Sequence, residues 1–403
     1  MESWSHQDQA YIMSTVNRLP IAIEKATGNY LYDTEGKAYL DLVTGLGVNV
    51  VGHSHPTVLK ALTEQGNRFL HISNLFLNPP AIRLAKRLLS HSLVRGKVYF
   101  ANSGAEATEA TIKLIHKWCT REQNEKRGVV VMKNSFHGRT MGAIRLTRQP
   151  GVYQDYPEID LPVYEVEGED LSSLEAICHQ HQPAAILLEP VLGAGGVYPL
   201  SPSYLQGARR IADQHSMLLC IDEIQTGMGR TGKLFAYQHS DISPDVILFA
   251  KGVGGGLPLG GIIANANTCD LFQPGDHGTT FAPSPLSSAL GNAVLDILLE
   301  QEQLEMGKKA AAYLWQKLIE LQRKHPHIIK EVRGLGMMLG IRTSCTPEQA
   351  QQLQRDLYHA GILVNVAAQT VIRLLPPLTL QHDEIDHFIF TLDHYINHRV
   401  SDS

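Results

Sequence analysis

The sequence predicts an α/β protein built on a mostly parallel sheet, and three observations carry that prediction. Short unbroken apolar runs, Val129 to Met132, Ala184 to Leu188, Met217 to Ile221 and Val246 to Ala250, have the length and composition of strands buried on both faces. Between about His55 and about Ala289 such runs alternate with helix-sized segments, the rhythm of a parallel sheet. Several runs stop at charged residues: Glu189, then Asp222 and Glu223, then Lys251 ahead of Gly252. In an open parallel sheet those groups gather beyond the carboxyl ends of the strands, where ligands bind.

Taken in order, Gly28 to Leu42 alternates apolar and polar residues on either side of Thr34-Glu35-Gly36, which predicts a small β-hairpin. Val98 to Phe100 predicts a strand, and Thr111 to Trp118 carries a helical pattern. Beyond Pro285 the pattern changes. Leu286 to Glu300 and Met306 to Lys324 predict long helices, and short strands follow near Met338 to Ile341 and Val371 to Leu375. With 403 residues, 43% of them hydrophobic, the chain can build two cores. The expected division is a large domain over residues 55–289 and a small α+β domain made from residues 1–54 and 290–403.

A net charge of −5 without a basic cluster argues against nucleic acid or an anionic membrane as partner. Cys119, Cys178, Cys220, Cys269 and Cys345 lie far apart, so neither a disulfide framework nor a metal site is expected, and a reducing cytoplasm fits. The N-terminal MESWSHQDQAYIM has polar residues where a signal peptide needs an apolar core. No apolar run reaches membrane-spanning length.

An amine and an acid at one sheet edge suit a particular cofactor. A lysine can condense with the aldehyde of pyridoxal phosphate, and a carboxylate at the pyridine nitrogen keeps it protonated, so that the ring accepts electrons. Asp222 suits the ring better than Glu223, because adjacent strand residues face opposite ways. Taken singly, Lys251 reads equally well as a solvated surface lysine and Asp222 as a turn cap. Ser103-Gly104-Ala105 lies between a strand and a helix, where backbone amides and the helix dipole can hold a phosphate. Phe136 can stack on a flat ring and Arg139 can grip a carboxylate with two parallel hydrogen bonds. His137 between them is assigned a structural role.

The blocks IDEIQTGMGRTGKLFA and PDVILFAKGVGGGLPLGG resemble the core of class III (subgroup II) pyridoxal-phosphate aminotransferases, nearest to the acetylornithine and ornithine enzymes. The resemblance runs from about Arg18 to about Leu380. It implies the type I fold of pyridoxal-phosphate transferases, with Lys251 as Schiff-base lysine, Asp222 on the ring nitrogen and Gln225 near the ring hydroxyl. It also implies phosphate binding at Ser103, Gly104 and Ala105, stacking by Phe136 and a substrate carboxylate on Arg139. Glu189 is expected to pair with Arg373, and Thr279 to line the substrate site. Thr280 is expected to reach the cofactor phosphate of the other subunit of a homodimer. Three departures stand out: Ala105 where many relatives have Thr, Ala194 where the family has an acid, and Ala282-Pro283-Ser284 where Gly-Gly-Asn is usual.

The expected reaction moves the terminal amine of N-acetylornithine to 2-oxoglutarate. Ornithine, succinylornithine, 4-aminobutyrate or a carrier-linked lysine precursor are alternatives, as are an aminomutase or racemase on the same fold and a non-catalytic binding protein.

Overall fold

The apolar runs assemble into one seven-stranded sheet. In the computed structural model, which describes residues 3–397, its strands are β1 Gly96–Ala101, β2 Val129–Met132, β3 Val163–Val166, β4 Ala185–Leu188, β5 Leu218–Asp222, β6 Val246–Phe249 and β7 Gly260–Asn265. They lie in the order β1-β7-β6-β5-β4-β2-β3. Six share one direction, and β7 runs antiparallel to both neighbours. Side chains alternate between two cores. Val130, Met132, Ile186, Leu188, Leu219, Ile221, Ile247 and Phe249 face one, whereas Val129, Val131, Leu187, Leu218, Cys220, Val246 and Leu248 face the other. Both faces are therefore covered, which is why these strands read as continuous apolar runs rather than as alternating ones. The second core is closed by the helix Gly104–Arg121, through Ala107, Ala110, Leu114 and Trp118.

The predicted hairpin forms between Tyr30–Asp33 and Ala38–Asp41 and gains a third strand, Ile23–Thr27. Ala38–Asp41 then pairs in parallel with Ile362–Leu363, so the two ends of the chain share a sheet. A second, antiparallel sheet holds Ile329–Leu335, Met338–Thr343, Val371–Leu374 and Asn365–Ala367. The long helices are Pro285–Leu295, which continues through a π-helical turn at Asp296–Glu300, and Gln303–Lys324. Two further helices, Pro347–His359 and His382–Tyr395, complete this region. Among the described residues no helix is long and apolar enough to cross a membrane.

Arg230 ties these parts together. Its side chain is fully buried, donates to the carbonyls of Met337 and Pro376, and lies 3.5 Å from Thr44 Oγ1. No carboxylate forms an ion pair with it among the described residues, and burial lowers its pKa to about 9.

Candidate active site

The carboxyl edge of the sheet collects the titratable groups. Asp222 ends β5 and is buried, with Oδ2 2.7 Å from His137 Nδ1 and Oδ1 accepting from the Ile224 amide at 3.0 Å. Glu223 turns the other way, accepting from Thr226 Oγ1 at 2.6 Å and the Tyr237 amide at 2.7 Å. The strand pleat thus separates the two acids, and Asp222 is the one left facing the edge. His137 does more than fill space. It is fully buried, its carbonyl accepts from Thr108 Oγ1 at 2.7 Å, and its ring braces Asp222, while Nε2 has no partner among the described residues. A contact of this kind holds a carboxylate in one orientation.

Lys251 opens the turn after β6 with φ of +49°, a left-handed conformation that a non-glycine residue adopts at some cost. Its amine is lowered to about 8. Burial does most of this; Asp222 and Glu189 pull the pKa back up, and Arg373 and Arg230 push it down. A neutral, nucleophilic amine is therefore within reach near physiological pH.

The loop after β1 runs straight into the N-terminus of a helix. Ser103 caps the helix Gly104–Arg121, its Oγ accepting from the Glu106 amide at 3.2 Å and its carbonyl from the Ala107 amide at 3.1 Å. The amides of Gly104 and Ala105, in the first turn, have no acceptor within the helix and remain for a ligand. β7 approaches closely here: a Cβ on Gly260 would stand 2.7 Å from the Ser103 carbonyl oxygen. Asn102, just before Ser103, donates to Thr279 Oγ1 at 2.9 Å. Thr280 is exposed and makes no hydrogen bond among the described residues.

Gln225 donates to the Leu46 carbonyl at 3.0 Å, and its Oε1 would lie 2.1 Å from a Cβ on Gly193. Only glycine leaves that approach open. Glu189, at the end of β4, accepts from the Phe136 amide at 2.8 Å and the Gly193 amide at 3.3 Å. Burial raises its pKa to about 7. The expected ion pair with Arg373 is not formed. Arg373 instead donates twice to Asn365 Oδ1, at 3.1 and 2.7 Å, because Asn365 is its register partner on the adjacent strand. The two are close enough that Glu189 supports the charge of Arg373, whose pKa is lowered to about 10 by burial. Arg139 is exposed, with its guanidinium 5.7 Å from the centre of the Phe136 ring.

A reactive amine, a braced buried carboxylate and a cup of free amides along one sheet edge fit pyridoxal phosphate at its aldehyde, ring nitrogen and phosphate. The fold and this donor set define a pyridoxal-phosphate enzyme of fold type I. The description of aminotransferase class-III matches residues 11–396, and the chain belongs to that family of pyridoxal-phosphate-dependent transaminases. It is 40% identical over 388 residues to the acetylornithine aminotransferase of Caldanaerobacter subterraneus subsp. tengcongensis, covering 96% of this chain and 97% of that one. The Aquifex aeolicus protein of the same name is 39% identical over 95% of this chain and 98% of its own. Among solved structures, the ornithine aminotransferase of Toxoplasma gondii superposes with a TM-score of 0.92 at 26% identity, covering 99% of this chain and 96% of that chain. The N-acetylornithine aminotransferase of Stenotrophomonas maltophilia gives 0.84 at 29% identity, covering 99% and 100%.

Proposed function

We propose that the chain moves the terminal amine of N-acetylornithine to 2-oxoglutarate, giving the semialdehyde and glutamate. The observation that carries this reading is the 37–40% identity to acetylornithine aminotransferases over 94–96% of this chain. Pyridoxal phosphate, when bound, supplies an aldehyde that holds the amine and a ring that takes up the carbanion's electrons. Lys251 would hold the cofactor between turnovers, and its freed amine would then take the proton from the amine-bearing carbon of the substrate and return it. Asp222, braced by His137, keeps the ring nitrogen protonated. Ser103, Gly104 and Ala105 bind the phosphate, Phe136 stacks on the ring and Gln225 lies beside its hydroxyl. Arg139 takes the substrate carboxylate far from the reacting amine, with Thr279 nearby. Arg373 takes the second carboxylate of glutamate, and Glu189 gives way to it.

The working unit in this reading is a homodimer in which Thr280 reaches the phosphate of the neighbouring site. Leu70, Leu75, Phe76, Leu77 and Phe281 are all exposed, and the two segments carrying them are joined through Asn74 to the Thr279 carbonyl and Asn78 to the Pro283 carbonyl. That apolar ridge lies beside the loop that would cross the interface. We further assign residues 55–289 to the cofactor domain and residues 3–54 with 290–397 to a smaller one, supported by the strand pairing between residues 38–41 and 362–363; residues 1–2 and 398–403 of the expected small domain lie outside the described residues. Five unpaired cysteines, four of them buried, suit a reducing cytoplasm. Ornithine is the second reading, favoured by the 0.92 superposition. Ranking N-acetylornithine, ornithine, N-succinylornithine and 4-aminobutyrate by kcat/KM with 2-oxoglutarate decides between them. A panel led by 4-aminobutyrate, or turnover that needs no 2-oxoglutarate, would overturn the assignment.

A further inference from the structure

The helix that carries the anion cup also holds the segment that carries Arg139. Positions 105, 108 and 109 lie on one face of Gly104–Arg121, three and four residues apart. All three touch the stretch from His137 to Ala143. Gly138, at φ of +133°, passes so close that a Cβ there would stand 3.1 Å from Ala105 Cβ. Thr108 Oγ1 donates to the His137 carbonyl at 2.7 Å. On the far side of Arg139, one oxygen of Glu109 accepts three hydrogen bonds: from Thr140 Oγ1 at 2.5 Å, the Gly142 amide at 2.9 Å and the Ala143 amide at 3.2 Å. The approach is close enough that a Cβ on Gly142 would meet Glu109 Oε2 at 2.3 Å. The backbone is thus pinned before and after Arg139, while the guanidinium stays exposed.

We infer that Glu109 is a positioning residue for Arg139, fixing the distance between the phosphate cup and the guanidinium and so the length of substrate the site accepts. This rests on Arg139 taking the substrate carboxylate, as proposed above. A charged hydrogen-bond acceptor serving three donors is a strong tether, and without it the 139–143 segment loses its register on the helix. Electrostatics alone would give the opposite role, the carboxylate of Glu109 weakening anion binding at Arg139. The two differ in sign. Glu109→Gln also separates them, because the amide offers the same oxygen without the charge.

The test compares two amino donors, N-acetylornithine and its carboxamide, in the first half-reaction of the holoenzyme, and measures glutarate binding by calorimetry. Glu109→Ala should weaken glutarate binding and lower the second-order rate with N-acetylornithine by about tenfold each, the size expected when the charge-assisted contact between Arg139 and the carboxylate is displaced. The carboxamide should react as with the parent, and Glu109→Gln should stay within about threefold of it. If Glu109→Ala fails to fold, Thr140→Val removes one of the three donors and should show a smaller loss of the same selective kind. Equal slowing of both donors, tighter glutarate binding, or a glutamine variant as impaired as the alanine one overturns the inference. Arg139→Ala separates this from the underlying reading. If that variant still distinguishes acid from amide, Arg139 is not the carboxylate ligand. If it loses the distinction while Glu109→Ala behaves as the parent, only the role of Glu109 falls.

Discussion

Lys251 shows how much a residue's neighbours decide what it can do. Its amine is lowered to about 8, chiefly by burial, so its protonated form disappears more than two pH units earlier than that of an exposed lysine. The free amine is the form that condenses with an aldehyde, so capture of pyridoxal phosphate by cofactor-free protein should accelerate from pH 6 to pH 8 and level off above. Absorbance of the protein-bound chromophore follows this directly; a rate still climbing steeply at pH 10 would refute the lowered value. Lys251→Ala should show no covalent capture and lose more than about a thousandfold in turnover, since anchoring and proton transfer go together. Glu189 and Arg373 make a second pair of predictions. Glu189→Ala should slow the half-reaction with N-acetylornithine by at least about tenfold while sparing that with glutamate, because Arg373 is then left as a desolvated cation unless a carboxylate arrives. Arg373→Ala should chiefly harm glutamate. Stopped-flow traces of each half-reaction check both, and equal slowing of the two in either variant defeats the scheme. Lys251 and Asp222 are legible in the sequence because each directly follows or ends an apolar run. The His137–Asp222 contact is not, since it joins the segment after β2 to the end of β5 with β4 between the two strands, and side-chain direction across a sheet leaves no trace in spacing. The Arg373–Asn365 contact depends on strand register, which is equally silent.

Among the elements, β2, β4, β5 and β6 could be read directly, because strands covered on both faces must be apolar throughout; of β1, an edge strand that opens with Gly96 and the exposed Lys97, only Val98 to Phe100 carried that signal. β3 and β7 could not. β3 is at the sheet edge, with Tyr164 and Glu165 only partly covered or exposed, and β7 begins with two glycines that carry no strand signal. Its reversed direction follows from the short connection after Phe249, which leaves no room for the crossover that a parallel neighbour needs. Those glycines are there for what they touch. Gly260 lies against the backbone of Ser103 and Phe249, so neither neighbour can yield by a change of rotamer. Gly260→Ala should cost about 1–3 kcal/mol by overpacking and displace the cup with it. The variant should unfold at lower denaturant and lose pyridoxal phosphate on dialysis, and unchanged retention would show that the strand does not set the cup. The helix Pro347–His359 illustrates a signal that was present: Thr346 and Gln349 cap each other's amides, and both residues stand in the sequence at the right interval.

At the scale of the whole molecule, the proposed sharing of sites between two subunits predicts complementation. Lys251→Ala and Thr280→Arg, each inactive alone, should regain activity when their subunits exchange, since one site of the mixed dimer carries both lesions and the other carries neither. No recovery after proven exchange would confine each site to a single chain. The union of the chain ends was legible only as a change of pattern after Pro285; that residues 38–41 pair with 362–363 rests on contacts between distant parts of the sequence. Arg230 adds a constraint of timing. The guanidinium follows the strand bearing Asp222, yet both carbonyls it donates to, Met337 and Pro376, are synthesised long after it. Until residue 376 leaves the ribosome, that cation must stay in water, and the core that finally encloses it must stay open. A chain released early therefore cannot become a smaller version of the enzyme: it leaves a hydrated charge where the interior should close, and presents itself to proteases as unfinished.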